Sequence, residues 1–242
     1  MAEMENKLYG KKIIWNGDSI CAGFAVTGNW STRIAEKNNA TCINYAIGGG
    51  TVAEGLPLLK SGKARHSVSA TLDRMYAEHP DADYVIFDGG SNDSDLLGYA
   101  AENPEQTKLG VLDPMDYSGD YDRNTFTGAL ESVFYRATKY WKGKKIAFII
   151  AQKMGYHHPR LFRNRRCYFD RAVEVCLKWG IPYMDLWNGC YLNPALEWMY
   201  DATKTADENK TENVCFYADG QHLTGRGYDV TADIIDSWLK TL

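Results

Sequence analysis

The sequence has 242 residues, of which 45% are hydrophobic and 24% are charged, and its formal net charge is −4. This length and composition are typical of one soluble globular domain, which we expect to span residues 1–242. The acidic balance disfavours a nucleic-acid-binding protein, and no apolar run approaches the roughly 20 residues that a membrane span requires.

The cysteines and the N-terminal residues bear on the compartment of the protein. Six cysteines are scattered through the chain without a Cys-x-x-Cys pair, which favours free thiols over a disulfide framework or a zinc site. Residues 1–12 are polar and charged, and they contain no apolar stretch of signal-peptide length. The sequence as given therefore predicts a cytoplasmic protein, although a secreted protein without its signal would show the same pattern. Nothing in it indicates the oligomeric state.

Short apolar strands alternate with helices along the chain. We predict strands at residues 12–16, 41–45, 84–87, 145–151 and 183–187. We predict helices at residues 29–38, 67–78, 125–141, 161–179 and 225–242. This alternation indicates an α/β fold, in which helices cover both faces of a five-stranded parallel sheet to give a single three-layer αβα domain.

One long segment, residues 93–124, interrupts this regular pattern. A loop of that length inside a compact domain is usually functional or mobile. It leaves the carboxyl end of the third strand, and that edge of a parallel sheet is where sites form. We therefore expect the segment, which contains Tyr99, Tyr117 and Tyr121, to form one wall of a site. Its acidic residues disfavour an anionic substrate.

Glycine-rich motifs with polar side chains follow the first three predicted strands. Ser19 lies in Gly17-Asp-Ser-Ile20 after the first strand, and a serine hydroxyl can act as a nucleophile when a neighbouring base takes its proton. Three glycines, at positions 48–50, follow the second strand and would let the backbone approach a ligand closely. Asn92 follows the third strand, where its amide could donate to a developing oxyanion.

A fourth motif, Asp219-Gly-Gln-His222, precedes the last predicted helix. The carboxylate of Asp219 could hold one ring nitrogen of His222 and leave the other free to face Ser19. Each of the four motifs, taken alone, is also compatible with a helix cap, a turn or chance. Their common order, each at a strand end or before the last helix, favours a catalytic site.

These four motifs resemble the sequence blocks of the SGNH (GDSL-type) hydrolase family, and the resemblance extends from Ile13 to the C-terminal helix. It implies a flavodoxin-like fold with Ser19 as nucleophile, His222 as base and Asp219 as the third member of a triad. It also implies an oxyanion hole made by the backbone N–H groups of Ser19 and Gly49 and by the side chain of Asn92.

Two of the four motifs depart from the family pattern. Ile20 stands where leucine is usual, which is a conservative exchange of apolar residues. Ala46 and Gly48 stand where glycine and serine are frequent, so the glycine that donates to the oxyanion remains open between Gly48, Gly49 and Gly50.

The resemblance implies a serine hydrolase that cleaves carboxylic esters through an acyl-enzyme and needs no metal or cofactor. The expected partner is a small-molecule ester, with a short acyl group such as acetyl on a carbohydrate or another small alcohol. Thioesterase and lysophospholipase activities remain alternatives on the same fold. A non-catalytic binding module is the competing class, and a nucleotide-binding flavodoxin-like protein would leave Asp219 and His222 without a role.

Three further features are interpreted as structural. The five arginines within residues 160–171 are expected on a solvated helix face. His157 and His158 follow the fourth strand and could reach the site, but the adjacent Pro159 favours a turn. Cys21 is expected to be a packed small residue rather than a second nucleophile.

If His222 is the catalytic base, ester hydrolysis should rise with pH between about pH 5 and 8 as the imidazole loses its proton. The measurement is kcat/KM for an ester substrate across this range. A flat profile would count against His222 as the base.

Overall fold

A single five-stranded parallel sheet forms the centre of the protein, in a computed structural model that describes residues 6–23, 26, 28–56, 62–98, 100, 108–155 and 157–242. The strands are β1 (Lys12–Asn16), β2 (Thr41–Asn44), β3 (Tyr84–Asp88), β4 (Lys145–Ile150) and β5 (Tyr183–Asp185). Their order across the sheet is β2-β1-β3-β4-β5, and every neighbouring pair is parallel. The order changes direction between β1 and β3, which is where ligands bind in open parallel sheets.

The strand sequences explain their places in the sheet. All five residues of β3 are buried, and in β4 every residue after Lys145 is buried. A strand covered on both faces reads as a continuous apolar run, and these two strands do. The edge strands β2 and β5 contain no fully buried residue, so their apolar signal is weaker.

The described helices are α1 (Ser19–Ala22), α2 (Trp30–Asn38), α3 (Val68–Glu78), α4 (Ser91–Leu96), α5 (Phe126–Tyr140), α6 (Pro159–Trp179), α7 (Leu186–Gly189), α8 (Ala206–Glu212) and α9 (Gly225–Leu239). Helix α2 packs against α9, while α3 packs against α5 and α5 against α6, so helices flank the sheet. Side-chain caps start several of them, including Asn29 for α2 and Thr224 for α9. No described helix is long and apolar enough to cross a membrane.

The predicted α/β fold is confirmed, with a parallel sheet of five strands in the predicted chain positions. The fifth strand is shorter than predicted and ends at Asp185. The carboxylate of Asp185 accepts a hydrogen bond from the Asn188 N–H, which starts α7 there. Helix α8 was not predicted; a capping box between Thr205 and Glu208 starts it.

The segment at residues 93–124 is also less irregular than predicted. It begins inside α4, whose last residues are Asp93 to Leu96. Asp93 is fully buried there, and its carboxylate accepts hydrogen bonds from the backbone N–H groups of Val52 (3.0 Å) and Ala53 (2.9 Å). Burial raises the pKa of Asp93 to about 7, although these two N–H groups oppose the shift. This carboxyl therefore joins α4 to the segment that follows β2.

We expect the replacement Asp93→Ala to destabilise the protein more than Asp93→Asn. Alanine leaves the Val52 and Ala53 N–H groups buried without an acceptor, at about 1–3 kcal/mol each. Asparagine keeps one oxygen within reach of both. The measurement is the free energy of unfolding in denaturant, and equal losses for the two variants would contradict this role.

The pH dependence of stability provides a second readout at Asp93. The folded pKa of about 7 lies above the unfolded value near 4, so the folded chain binds more protons between these values. The contribution of Asp93 to stability therefore falls as pH rises from about 4 to about 7. Because an amide does not titrate in this range, the Asp93→Asn variant should gain stability relative to wild type across that window.

Candidate active site

Ser19 lies at the carboxyl end of β1, as the first residue of the short helix α1. The preceding Asp18 caps this helix, since its Oδ1 accepts the Ile20 N–H at 2.8 Å. Gly17 closes the turn, and a Cβ atom there would lie 2.9 Å from Oδ2 of Asp88, so a side chain would not fit. This tight turn leaves Ser19 8% exposed, with its hydroxyl at the edge of the sheet.

Asp18 also joins this turn to the end of β3. The hydroxyl of Ser91, the first residue of α4, donates to Oδ2 of Asp18. Burial raises the pKa of Asp18, although the hydrogen bonds from Ser91 and Ile20 act in the opposite direction. The neighbouring Asp88 is buried as well, and its burial together with the charge of Asp18 raises its pKa well above the ordinary value.

His222 lies in a tight loop that the end of β4 holds in place. Within the loop, the Ala218 N–H donates to the His222 carbonyl at 2.8 Å. The Gly155 N–H donates to the Gly220 carbonyl at 3.1 Å, and the side-chain amide of Gln152 donates to the Gln221 carbonyl at 3.0 Å. These contacts bring His222 to the same edge of the sheet as Ser19, although the two residues are more than 200 positions apart in the sequence.

Ser19, His222 and Asp219 form a continuous hydrogen-bonded chain. Oγ of Ser19 lies 2.8 Å from Nε2 of His222, and Nδ1 of His222 lies 2.8 Å from Oδ2 of Asp219. Burial alone would raise the pKa of Asp219, but its hydrogen bonds from His222 and Gln221 bring it below the ordinary value. An ionised Asp219 accepts a hydrogen bond from Nδ1–H, which leaves Nε2 to accept the Ser19 hydroxyl.

The candidate oxyanion donors surround the same cavity. Gly48, Gly49 and Asn92 all line the space beside Ser19. The Gly50 N–H already donates to the Ile47 carbonyl at 2.9 Å, so this glycine is excluded as a donor and the choice narrows to Gly48 or Gly49. Gly49 adopts a φ of +76°, which favours glycine. One N–H of the Asn92 amide donates to the Gly50 carbonyl at 2.9 Å, and the other remains for a ligand.

Sequence reasoning missed Arg165. It was expected on a solvated helix face, but the residue is 2% exposed and lines the cavity beside Ser19. The signal was present: Arg165 precedes Tyr168 and Phe169 by three and four positions, so it lies on the buried stripe of α6. Asp95 of α4 lines the same cavity and binds Arg165 at 2.8 Å.

Asp95 of the segment 93–124 lines the cavity of Ser19, but Tyr117 and Tyr121 do not. The rings of Tyr117 and Tyr121 pack on Trp179, with centroid distances of 5.3 and 6.2 Å. Trp179 ends α6, about 20 Å along the helix from Arg165, because roughly fourteen residues rise about 1.5 Å each. Tyr99 lies outside the described residues.

The neighbouring histidines and Cys21 have other environments. His158 precedes Pro159 at the start of α6, as the turn interpretation expected, and neither it nor His157 lines the cavity of Ser19. Both line a second cavity next to Asp219. Cys21 is buried, and burial raises the pKa of its thiol well above the ordinary value, so a thiolate is disfavoured. Within the described part of the chain, no group of three His, Cys, Asp or Glu residues could hold a metal.

Several solved structures share this architecture at low sequence identity. A protein from Lactobacillus plantarum is 21% identical with a TM-score of 0.68, and the match covers 96% of this chain and 98% of that one. A lipase/acylhydrolase from Enterococcus faecalis is 18% identical with a TM-score of 0.57, covering 96% of each chain. A carbohydrate acetylesterase from Sinorhizobium meliloti is 12% identical with a TM-score of 0.60, covering 96% of this chain and 99% of that one.

These likenesses establish a shared fold, and the sequence itself establishes the family. Among curated proteins, none matches the chain. Residues 16–230, which include all four motifs, match the pattern of the GDSL-like Lipase/Acylhydrolase family. The chain therefore belongs to this family, the SGNH hydrolases, and is a carboxylic ester hydrolase.

Proposed function

We propose that the protein hydrolyses esters of small acyl groups, such as acetyl, through a Ser19–His222–Asp219 triad and an acyl-enzyme. The observation that carries the proposal is the pair of 2.8 Å contacts that joins the three side chains. They connect a hydroxyl, an imidazole and an ionised carboxylate in the order that nucleophilic catalysis requires.

In the first half of the reaction, Ser19 attacks the ester carbonyl while Nε2 of His222 takes the hydroxyl proton. Asp219 holds the imidazole by Nδ1 and stabilises the imidazolium that forms. The negative charge on the carbonyl oxygen meets the N–H of Ser19, the N–H of Gly49 or Gly48, and the free N–H of Asn92. His222 then gives its proton to the leaving alcohol, and the acyl group stays on Ser19.

In the second half, a water molecule replaces the alcohol. His222 takes a proton from this water as it attacks the acyl carbonyl, and the same donors stabilise the second oxyanion. Return of the proton from His222 to Ser19 releases the carboxylic acid and restores the enzyme.

Two observations support a small acyl group. The cavity beside Ser19 has a volume of about 310 Å³, at the lower end of the range for small-molecule sites. The neighbour from Sinorhizobium meliloti, which shares the fold, is a carbohydrate acetylesterase. An acetylated carbohydrate or another acetylated small alcohol is therefore the substrate class we propose.

The replacement Ser19→Ala should lower the hydrolysis of p-nitrophenyl esters by roughly 10³- to 10⁶-fold, because alanine removes the nucleophile. The wild type should cleave acetate and butyrate esters faster than the decanoate. Ser237→Ala, on the exposed side of α9, is the matched control and should retain activity. Activity that survives Ser19→Ala would mean that another group is the nucleophile, and an inert wild type would favour a binding module.

The replacement Asn92→Ala should lower kcat by about 100- to 1,000-fold with a much smaller change in KM, because the oxyanion donor acts mainly in the transition state. Steady-state kinetics with p-nitrophenyl acetate measures this separation. Thermal unfolding of the variant controls for the lost hydrogen bond to the Gly50 carbonyl. An unchanged kcat would remove Asn92 from the oxyanion hole.

A further inference from the structure

The guanidinium of Arg165 is a buried cation with unused hydrogen-bond donors at the wall of the active-site cavity. Its side chain is 3% exposed, and its Nη2 donates to Oδ2 of Asp95 at 2.8 Å. The Nε and Nη1 atoms are buried and have no hydrogen-bond partner among the described residues. A buried donor that no group of the protein satisfies is costly, so an acceptor from outside the described residues is expected there.

A second buried cation, Lys178, has hydrogen-bond acceptors for its ammonium group and serves as a comparison. Lys178 is 4% exposed, and besides its ion pair with Glu131 its ammonium donates to the carbonyls of Asp113 (2.7 Å) and Asp116 (2.6 Å). Lys178 packs far from the cavity of Ser19, against Tyr117 and Trp179. Of these two cations, it is Arg165, at the cavity of Ser19, whose donors lack partners among the described residues.

The guanidinium is also held in a fixed position. A Cβ atom at Gly155 would lie 2.5 Å from Nη1, so the absence of a side chain there makes room for it. Asp95 fixes the opposite end of the group through Nη2. A donor group held in place before binding loses little conformational entropy when a ligand arrives.

The position of Arg165 indicates which part of a substrate it would meet. His222 must protonate the leaving oxygen, so the alcohol part lies on the His222 side of Ser19. Arg165 and Gln221 line the cavity of Ser19 and also a second cavity of about 260 Å³. This second cavity borders Asp219 and Gly220, which precede His222, and not the oxyanion donors. Arg165 thus lies where the alcohol part would extend.

We propose that Arg165 binds a carboxylate on the alcohol part of the substrate, so that the enzyme prefers esters of carboxylate-bearing alcohols. Arginine suits this task because its planar group donates several hydrogen bonds to a carboxylate. The proposal rests on the proposed function, and it reverses the expectation drawn from the acidic segment 93–124. From the described part of that segment, Asp95 alone lines the cavity, and Arg165 already pairs with it.

The test compares two acetate esters that differ in charge and little in shape, 3-acetoxybenzoate and 3-acetoxybenzamide. Wild type should show a kcat/KM about 10- to 100-fold higher for the benzoate, as expected for hydrogen bonds to a charged group. Arg165→Met should remove this preference, so that the benzoate and the benzamide are hydrolysed with similar kcat/KM. Arg165→Lys, which keeps the charge but not the planar donors, should retain part of it.

Arg166→Met is the matched control, because Arg166 is the next residue of α6 and pairs with Asp170 at the surface. It should keep the full preference. Calorimetric binding of 3-hydroxybenzoate to the Ser19→Ala variant adds a readout without turnover, and this binding should be lost when Arg165→Met is added.

The outcomes separate the two proposals. Equal hydrolysis of both esters by wild type, or a parallel loss of both in Arg165→Met, overturns the role of Arg165 and leaves the esterase function intact. If no ester of any kind is cleaved, the proposed function fails. In that case binding of 3-hydroxybenzoate that depends on Arg165 still supports the carboxylate site, and its absence overturns it.

Discussion

The buried carboxyl group of Asp18 connects the parts on which the site depends. Its carboxylate accepts the Ile20 N–H in the turn that carries Ser19, and it accepts the Ser91 hydroxyl at the start of α4. Asn92 is the next residue of that helix. The proposed nucleophile and the candidate oxyanion donor therefore share one anchor between the ends of β1 and β3, where the strand order of the sheet changes direction.

The arrangement of the site also depends on how the loop that contains His222 is held at this edge of the sheet. Hydrogen bonds from Gln152 and Gly155, which follow β4, hold the loop by its carbonyl groups, and the His222 side chain contacts Ser19. Asp219 then acts twice: its Oδ1 accepts the backbone N–H of His222 and its Oδ2 meets the imidazole. One carboxylate thus sets the position of the residue and the orientation of its ring.

Helix α6 contributes Arg165 to the wall of the cavity. Asn164 donates to the carbonyls of Ser94 and Gly98 near the end of α4, and the adjacent Arg165 binds Asp95 in the same helix. These contacts join α4, which carries Asn92, to α6, which carries Arg165. The positions of Asn92 and Arg165 at the cavity therefore both depend on the contact between α4 and α6.

The sequence by itself determined the five strands, the long helices, the family and the residues of the hydrogen-bonded chain. It could do so because parallel strands buried on both faces read as apolar runs, and because each motif adjoins a strand or the last helix. It did not determine the environment of single side chains. Arg165 looked like one of five surface arginines, and Tyr117 and Tyr121 looked like a wall of the site. Spacing to Tyr168 and Phe169 places Arg165 on the buried stripe of α6, but it does not say that this stripe meets α4 beside the cavity. Only the tertiary structure decided that, and only it decided where the long segment crosses α6.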